Sequence, residues 1–306
     1  MNRALWGCDL ALVVAIWATI APAAAGAPSG DLTTLSIEEL MDVEVTLPSR
    51  HPESVAQAAT AVYVITQDEI RRSGVTNIPD ALRLAPGVQV ARISASEWAV
   101  GIRGFGSRLT SGVLVMIDGR SVYDPLFAGT YWEVQDTVLE DIDHIEVIRG
   151  PGGSLWSANA FNGVINIVTK EAQQTQGGLA SGGGGTEERG FGTLRYGGHL
   201  GNDLFYRVYT KYFYRDAFTN PGGKPFDAWQ VGRGGFRVDW SASQSDRLSV
   251  QGDAYDGRTG ESVGISQYEP PFLVLEQKDA DVSGADLAGR WTHTLSATSD
   301  VVVQSW

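Results

Sequence analysis

From Leu204 to Arg215 the chain alternates without a break. Leu204, Tyr206, Val208, Thr210, Tyr212 and Tyr214 fall on one side, and Phe205, Arg207, Tyr209, Lys211, Phe213 and Arg215 on the other. A period of two is the mark of a β-strand, because successive side chains leave a pleated sheet on opposite faces. One face is apolar and aromatic; the other carries the charge. That is the pattern of a strand with lipid on one side and a polar interior on the other, at the ~9–11 residue length of a tilted spanning strand. The habit continues at Phe236, Val238 and Trp240, at Leu248 and Val250, and at Ala285, Leu287 and Trp291. Connections alternate between short (Gly201–Asp203, Ser243–Asp246, Ala297–Asp300) and long (Asp216–Ala228, Gly257–Lys278), as in outer-membrane barrels. A soluble β-sandwich shares the alternation. The Tyr and Trp residues near strand ends, the turn asymmetry and the export signal described next favour the barrel. Only about seven strands fit before Trp306, whereas about 22 enclose a lumen wide enough for a folded domain.

The first 25 residues read as a secretory signal. Arg3 gives the positive start, Leu10–Ile20 the apolar stretch, and Ala23-Ala24-Ala25 a small-residue cleavage site. The apolar stretch is short for a membrane span, and Pro22 follows it closely. The single cysteine, Cys8, lies inside this segment, so the exported chain is expected to hold neither a disulfide nor a thiolate metal site. A formal net charge of -13 argues against nucleic acid as a partner, since that binding needs a basic footprint.

Residues 26–59 form a leader with little pattern. Ser36 and Glu39 stand at capping-box spacing, and Val43-Glu44-Val45-Thr46-Leu47 is a short β-prone run closed by Pro48. Such a run can add itself as a strand to the sheet edge of another protein.

Organisation begins at Thr60. Ala61–Ile65 reads as a strand, and Thr66-Gln67-Asp68-Glu69 is a capping box opening a helix that Gly74 ends. A second helix follows Thr76 or Asn77, with Pro79 in its first turn and Pro86-Gly87 as its stop. Val88–Arg92, Ala99–Arg103 and Val113–Ile117 are expected strands, and Asp118-Gly119 is a hairpin turn leading to Ser121–Tyr123. The stretch Asp141–Lys170 then reads strand, tight Gly-Pro-Gly-Gly turn, short helix capped by Ser154, Asn162-Gly163 turn, strand. Together these make an α+β unit of roughly 110 residues, an ordinary domain size.

At this point the residues resemble a known family. Val62–Thr66, Ile78–Leu82, Ala85–Val88, Ile102-Arg103-Gly104-Phe105, Val115–Arg120, Ile145–Pro151, Asn159-Ala160 and Gly163–Ile167 together resemble the amino-terminal part of a TonB-dependent outer-membrane receptor. The resemblance implies an α+β plug domain over residues 60–171, followed over 172–306 by antiparallel transmembrane β-barrel strands, about seven of a larger barrel, in a chain that looks like part of a longer receptor. It implies active import of a scarce nutrient: an iron-siderophore, another metal chelate or a cobalamin-like ligand. Expected partners are TonB with its inner-membrane energising complex, outer-membrane lipid and the ligand. The location would be the outer membrane of a Gram-negative bacterium. Val43, Glu44, Val45, Thr46 and Leu47 match the TonB box in degenerate form. Arg103 and Arg149 match plug arginines that face acidic groups on the barrel wall, where guanidinium–carboxylate pairing would latch the plug. Loops at Arg92–Trp98 and Asp124–Trp132 would face the ligand, with Trp98, Tyr123, Phe127, Tyr131 and Trp132 stacking on a chelator and Arg92 meeting an anionic one, or all of them packing on the wall.

No catalytic site, cofactor or metal centre is expected. Gly252–Thr259 nearly copies a phosphate loop, but Arg258 replaces its lysine and no helix follows. His51, His144, His199 and His293 lack ligand spacing. Asp141, Asp143 and Glu146 resemble half of a calcium loop, and a solvated turn accounts for them. Two rivals to transport are a signal-transducing receptor, for which the gap between Ala25 and Val43 leaves no room for an extra domain, and a plug-like binding module without transport.

Overall fold

The computed structural model describes residues 61–156, 158–218, 225–296 and 299–306, with the residue pairs 44–45 and 53–54. The expected signal segment 1–25, the rest of the leader, and Val43, Thr46 and Leu47 lie outside the described residues. Within the leader, β1 (Glu44–Val45) and β2 (Glu53–Ser54) pair antiparallel with each other.

β3 (Val62–Thr66) leads into the helix Gln67–Ser73. Thr66 accepts from the Glu69 amide while the Glu69 carboxylate accepts from the Thr66 amide, the reciprocal cap that the sequence announced, and Gly74 at φ 70 ends the helix in the left-handed region. The helix Ile78–Ala81 is capped by Asn77, whose side chain accepts from the Asp80 amide. β4 (Val88–Arg92), β5 (Trp98–Ile102) and β6 (Phe105–Ser107) form a small antiparallel sheet. β7 (Val113–Ile117) turns through Asp118 (φ 50) and Gly119 (φ 78) into β8 (Arg120–Ser121). Two positive φ values in a two-residue loop are what an Asp-Gly pair supplies.

β9 (Ile142–Arg149) and β10 (Gly163–Thr169) are the strands of the Asp141–Lys170 stretch. They are central in the order β3-β9-β10-β7-β8, with β10 antiparallel to β9 and parallel to β7. The intervening helix is Gly153–Trp156, which places Ser154 inside it and not at its cap. Gly163 is fixed by contact. A Cβ there would sit 2.4 Å from the Ile148 carbonyl oxygen and 2.6 Å from Ile102 Cδ1. Gly163→Ala is therefore expected to destabilise the domain by about 1–3 kcal/mol through overpacking, read from its denaturant midpoint; an unchanged midpoint would show that β9 yields freely.

Seven further strands follow in sequence order: β11 (Gly177–Gly183), β12 (Glu188–Leu200), β13 (Leu204–Arg215), β14 (Trp229–Ser241), β15 (Asp246–Ser266), β16 (Leu273–Ser296) and β17 (Ser299–Ser305). All neighbouring pairs in this wall are antiparallel. Two expectations need correction. The glycine-rich stretch after Lys170 is a strand, because Gly177–Gly183 pairs throughout with β12. Gly257–Lys278 is mostly not a loop: β15 and β16 remain paired as far as Ser266 and Leu273, and only Gln267–Phe272 connects them. Beyond Thr259, β15 no longer pairs with β14, so the β15–β16 ribbon projects past the wall.

Ile65, Val115, Ile145, Val147, Ile165 and Ile167 of the α+β unit share one buried cluster with Phe213, Trp229 and Val231 of the wall. One core thus spans both parts. A smaller cluster of Leu114, Met116, Ile148, Ala160 and Val164 occupies the other face of the sheet.

Candidate functional site: the junction of plug and wall

The alternation that opens the sequence argument sorts β13 as expected: Arg207, Lys211 and Arg215 are buried, whereas Val208, Thr210 and Tyr212 are exposed. The inward face meets the α+β unit, so its cations find partners there. Lys211 Nζ donates to Asp136 Oδ1 at 2.7 Å and to the Thr137 carbonyl at 2.9 Å. Arg207 donates to the Lys170 carbonyl (2.6 Å) and the Thr169 hydroxyl (3.0 Å), and Arg237 to the same hydroxyl (3.2 Å). Arg215 donates to Thr76 Oγ1 at 2.6 Å, and Arg233 to the Val134 carbonyl and to Asp253. Arg195 and Arg207 stand 3.4 and 3.8 Å from the Asp141 carboxylate. Burial pushes the Asp141 carboxyl above its usual range even with Arg207, Arg195 and Lys170 beside it. Asp141 is 2% exposed and Glu146 fully buried, so the solvated-turn reading of this acidic segment is overturned.

The Asp118–Arg120 turn makes the reciprocal contact. Asp118 accepts from the Thr169 amide (2.8 Å) and from Gln251 Nε2 (2.8 Å), and its carbonyl accepts from Gln304 Nε2 (3.1 Å). Arg120 reaches Asp286 at 3.0 Å. Asp286 lies directly opposite Asp253 across β15 and β16, a placement in which like charges repel unless each has a cation. Arg233 serves Asp253 from β14, and Arg120 serves Asp286 from the plug.

At the end bearing the long connections, loops meet. Arg92 pairs with Glu187 and lies over the Trp98 and Phe218 rings (5.3 and 4.4 Å). Asp227 accepts from the amides of Ala95 (2.7 Å) and Phe218 (2.9 Å), and Thr259 bonds Ser96 at 2.8 Å. Arg108 joins Glu97 (2.8 Å) to Glu133 (3.0 Å) and faces the Tyr131 ring at 5.8 Å. Burial raises the Glu133 carboxyl pKa against the pull of Arg108.

The residues singled out in the sequence divide. Trp98 is 1% exposed, edge-on to Trp229 at 5.4 Å, and Trp132 is buried in the main core. Tyr123 packs on the smaller core cluster. Trp98 and Trp132 are therefore packing residues with no ring face left for a ligand, whereas Tyr123 is half-buried. Phe127 is exposed, and Tyr131 stands edge-on to it at 5.7 Å. Arg149 donates to the Pro86 carbonyl at 3.1 Å, within the plug. Arg103 is exposed at φ 60. Among the described residues neither meets a wall carboxylate; the plug arginines that do are Arg120, on Asp286, and Arg92, on Glu187. The pairings of Asp136 with Lys211, of Arg120 with Asp286 and of Arg108 with Glu97 and Glu133 carry no sequence signal, because each is an ordinary charged residue distinguished only by what faces it.

His144 sits between Asp143 (2.6 Å) and Glu146 (3.4 Å), with Asn166 Nδ2 donating to Glu146 at 3.1 Å. Burial opposes a charged ring, but the two carboxylates outweigh it and hold the pKa up at about 9. A folded pKa above the ordinary ~6.5 means stabilisation that is full below about 6.5 and lost as pH rises through 9, on the order of 3 kcal/mol. Plug stability is expected to fall across that window and to be flat there in His144→Gln. A slope that survives in the variant would assign the effect elsewhere.

Among the described residues no group of three or more His, Cys, Asp or Glu side chains is placed to hold a metal, and no helix is long and apolar enough to cross a membrane. The second statement leaves strands free to cross. An α+β unit seated by ion pairs on the polar face of a staggered antiparallel wall defines a plugged-barrel architecture. Residues 54–164 match the family model of the TonB-dependent Receptor Plug Domain, and the seven-stranded wall follows that match in the chain. It is 29% identical over 159 residues to the vitamin B12 transporter BtuB of Vibrio vulnificus, covering 50% of this chain and 25% of the relative. It is 27% identical over 260 residues to the ferric enterobactin receptor of Pseudomonas aeruginosa, covering 71% and 34%. The chain thus spans between a quarter and about a third of these curated relatives. In fold it is similar to P. aeruginosa FpvA bound to heterologous pyoverdines, with TM-score 0.65 at 16% identity, covering 85% of this chain and 35% of that one.

Proposed function

We propose that this protein is an outer-membrane receptor of a Gram-negative bacterium that imports a scarce nutrient, an iron-siderophore, another metal chelate or a cobalamin-like ligand. The plug keeps the barrel shut until TonB and its inner-membrane complex pull on the leader segment around Glu44–Val45. The observation that carries this reading is the two-faced wall. The cations of its inner face are met by plug carboxylates, hydroxyls and carbonyls, while its outer face carries cross-strand rows of large apolar side chains. One such row runs Leu204, Trp240, Leu248, Trp291 and Val303 in register across β13 to β17, at the short-turn end. Aromatic and aliphatic rows at that level suit a lipid interface. Relatives named for vitamin B12 and for ferric enterobactin support the ligand classes. The leader would be preceded by the cleaved signal 1–25, and Phe127, Tyr131 and Arg92 would stand nearest the ligand. Arg103 and Arg149 would latch to wall strands other than the seven described here.

Uptake of radiolabelled cyanocobalamin and of ferric siderophores by cells with and without the gene tests the proposal. Loss of one of these uptakes on deletion, matched by its loss on removing TonB, is the expected result. Unchanged uptake of every probe would overturn it.

A further inference from the structure

The ligand-facing end of the plug has its cations already engaged. Arg108 is held between Glu97 and Glu133, Arg92 is paired with Glu187, and the Asp227 carboxylate is taken up by two backbone amides. Asp124 accepts from the amides of Leu126 and Phe127, closing its own turn. What these loops present to solvent is apolar: Ile93, Leu126 and Phe127 are all well exposed. The second surface at this end is the projecting β15–β16 ribbon. Residues 260–281 carry Glu261, Glu269, Glu276, Asp279 and Asp281 against Lys278, and Asp281 is paired with Arg258 at 3.1 Å. The tip adds exposed Tyr268 and Phe272.

An apolar floor beneath an acidic rim has a complement of definite chemistry. A polyanionic chelate would be repelled on approach by the ribbon, and would find the floor's arginines engaged by carboxylates that it must displace. A neutral or cationic ligand with a broad apolar face meets no such opposition, and gains by covering Ile93, Leu126 and Phe127. Resting on the receptor reading above, we infer that the ligand class is neutral-to-cationic and broadly apolar, with the ribbon acting as a charge filter and the Arg108 triad, one cation held between two carboxylates, leaving no free positive charge on the floor. This sets the chain apart from a receptor for triply negative tris-catecholate chelates.

The test is equilibrium binding to the receptor in outer-membrane vesicles with three probes: neutral cyanocobalamin, cationic ferrioxamine B and the anionic ferric tris-catecholate. One of the first two should bind at least tenfold tighter than the tris-catecholate. Weak tris-catecholate binding should strengthen with salt, as rim repulsion is screened. Glu269→Gln with Glu276→Gln and Asp279→Asn should raise tris-catecholate affinity severalfold while leaving the neutral probe unchanged. Leu126→Ser with Phe127→Ser should weaken the preferred probe at least tenfold, with the buried Trp98 emission unshifted to show that the plug is still folded. Tris-catecholate binding equal to or tighter than the others, or indifference to both variants, would overturn the inference and leave the receptor reading intact. Failure of all three probes to bind would count against both.

Discussion

Lys211→Met should loosen the plug from the wall by about 3–5 kcal/mol, the usual cost of removing one member of a buried ion pair. Lys211 is the cation for the Asp136 carboxylate and also donates to the Thr137 carbonyl, and both ends of the pair are largely shielded from water. Methionine keeps the volume of the stem but leaves Asp136 with the Thr137 amide as its remaining hydrogen-bond donor. The readout is the denaturant midpoint of the plug, followed through its buried Trp98 and Trp132, with the protein in detergent. Asp136→Asn added to Lys211→Met should recover much of the loss, because the uncompensated charge is then gone. A single variant as stable as the parent would show that water reaches Asp136 and that the junction is wetter than its geometry indicates.

Arg120→Met is expected to cost a similar amount, for a different reason. Asp253 and Asp286 face each other across neighbouring strands, and removing Arg120 leaves Arg233 alone against two carboxylates. The same substitution made on an Asp286→Asn background should cost far less, giving a coupling of at least about 2 kcal/mol in the double-mutant cycle. Additive effects would mean that Arg120 holds its turn by packing alone. The sign is instructive either way. The plug contributes Arg92 and Arg120 to carboxylates of the described wall, whereas the wall contributes Arg207, Lys211, Arg215, Arg233 and Arg237 to plug acceptors.

Much of the local structure was legible. Thr66 with Glu69, Asn77 with Pro79, and Asp118-Gly119 each specify their own backbone within four residues, and each formed as written. The inward and outward faces of β13 followed from alternation alone. Errors arose where the outcome depends on a neighbour. Gly177–Gly183 has no strand signal of its own and is extended because β12 offers it a full ladder. Gly257–Lys278 looked like a loop because its glycines and charges suit one, yet the β15–β16 pairing continues through it.

The candidate site divides on the same line. That a charged face and an apolar face exist on the strands, and that an α+β unit precedes them, are properties of residue order, fixed by the two-residue period of a strand. Which carboxylate meets which cation is not. Asp136 and Lys211 are 75 positions apart, and Arg120 and Asp286 are 166 apart. Trp98 illustrates the limit: its sequence context marks a loop facing outward, but Trp229, itself backed by Phe213, stands edge-on to it within the core. Short-range rules act through the backbone of a few residues, and so the sequence by itself determined the elements and the faces of the strands. Ion pairing and burial depend on the low-dielectric gap created when plug and wall come together, and only the tertiary structure decided who stands in it.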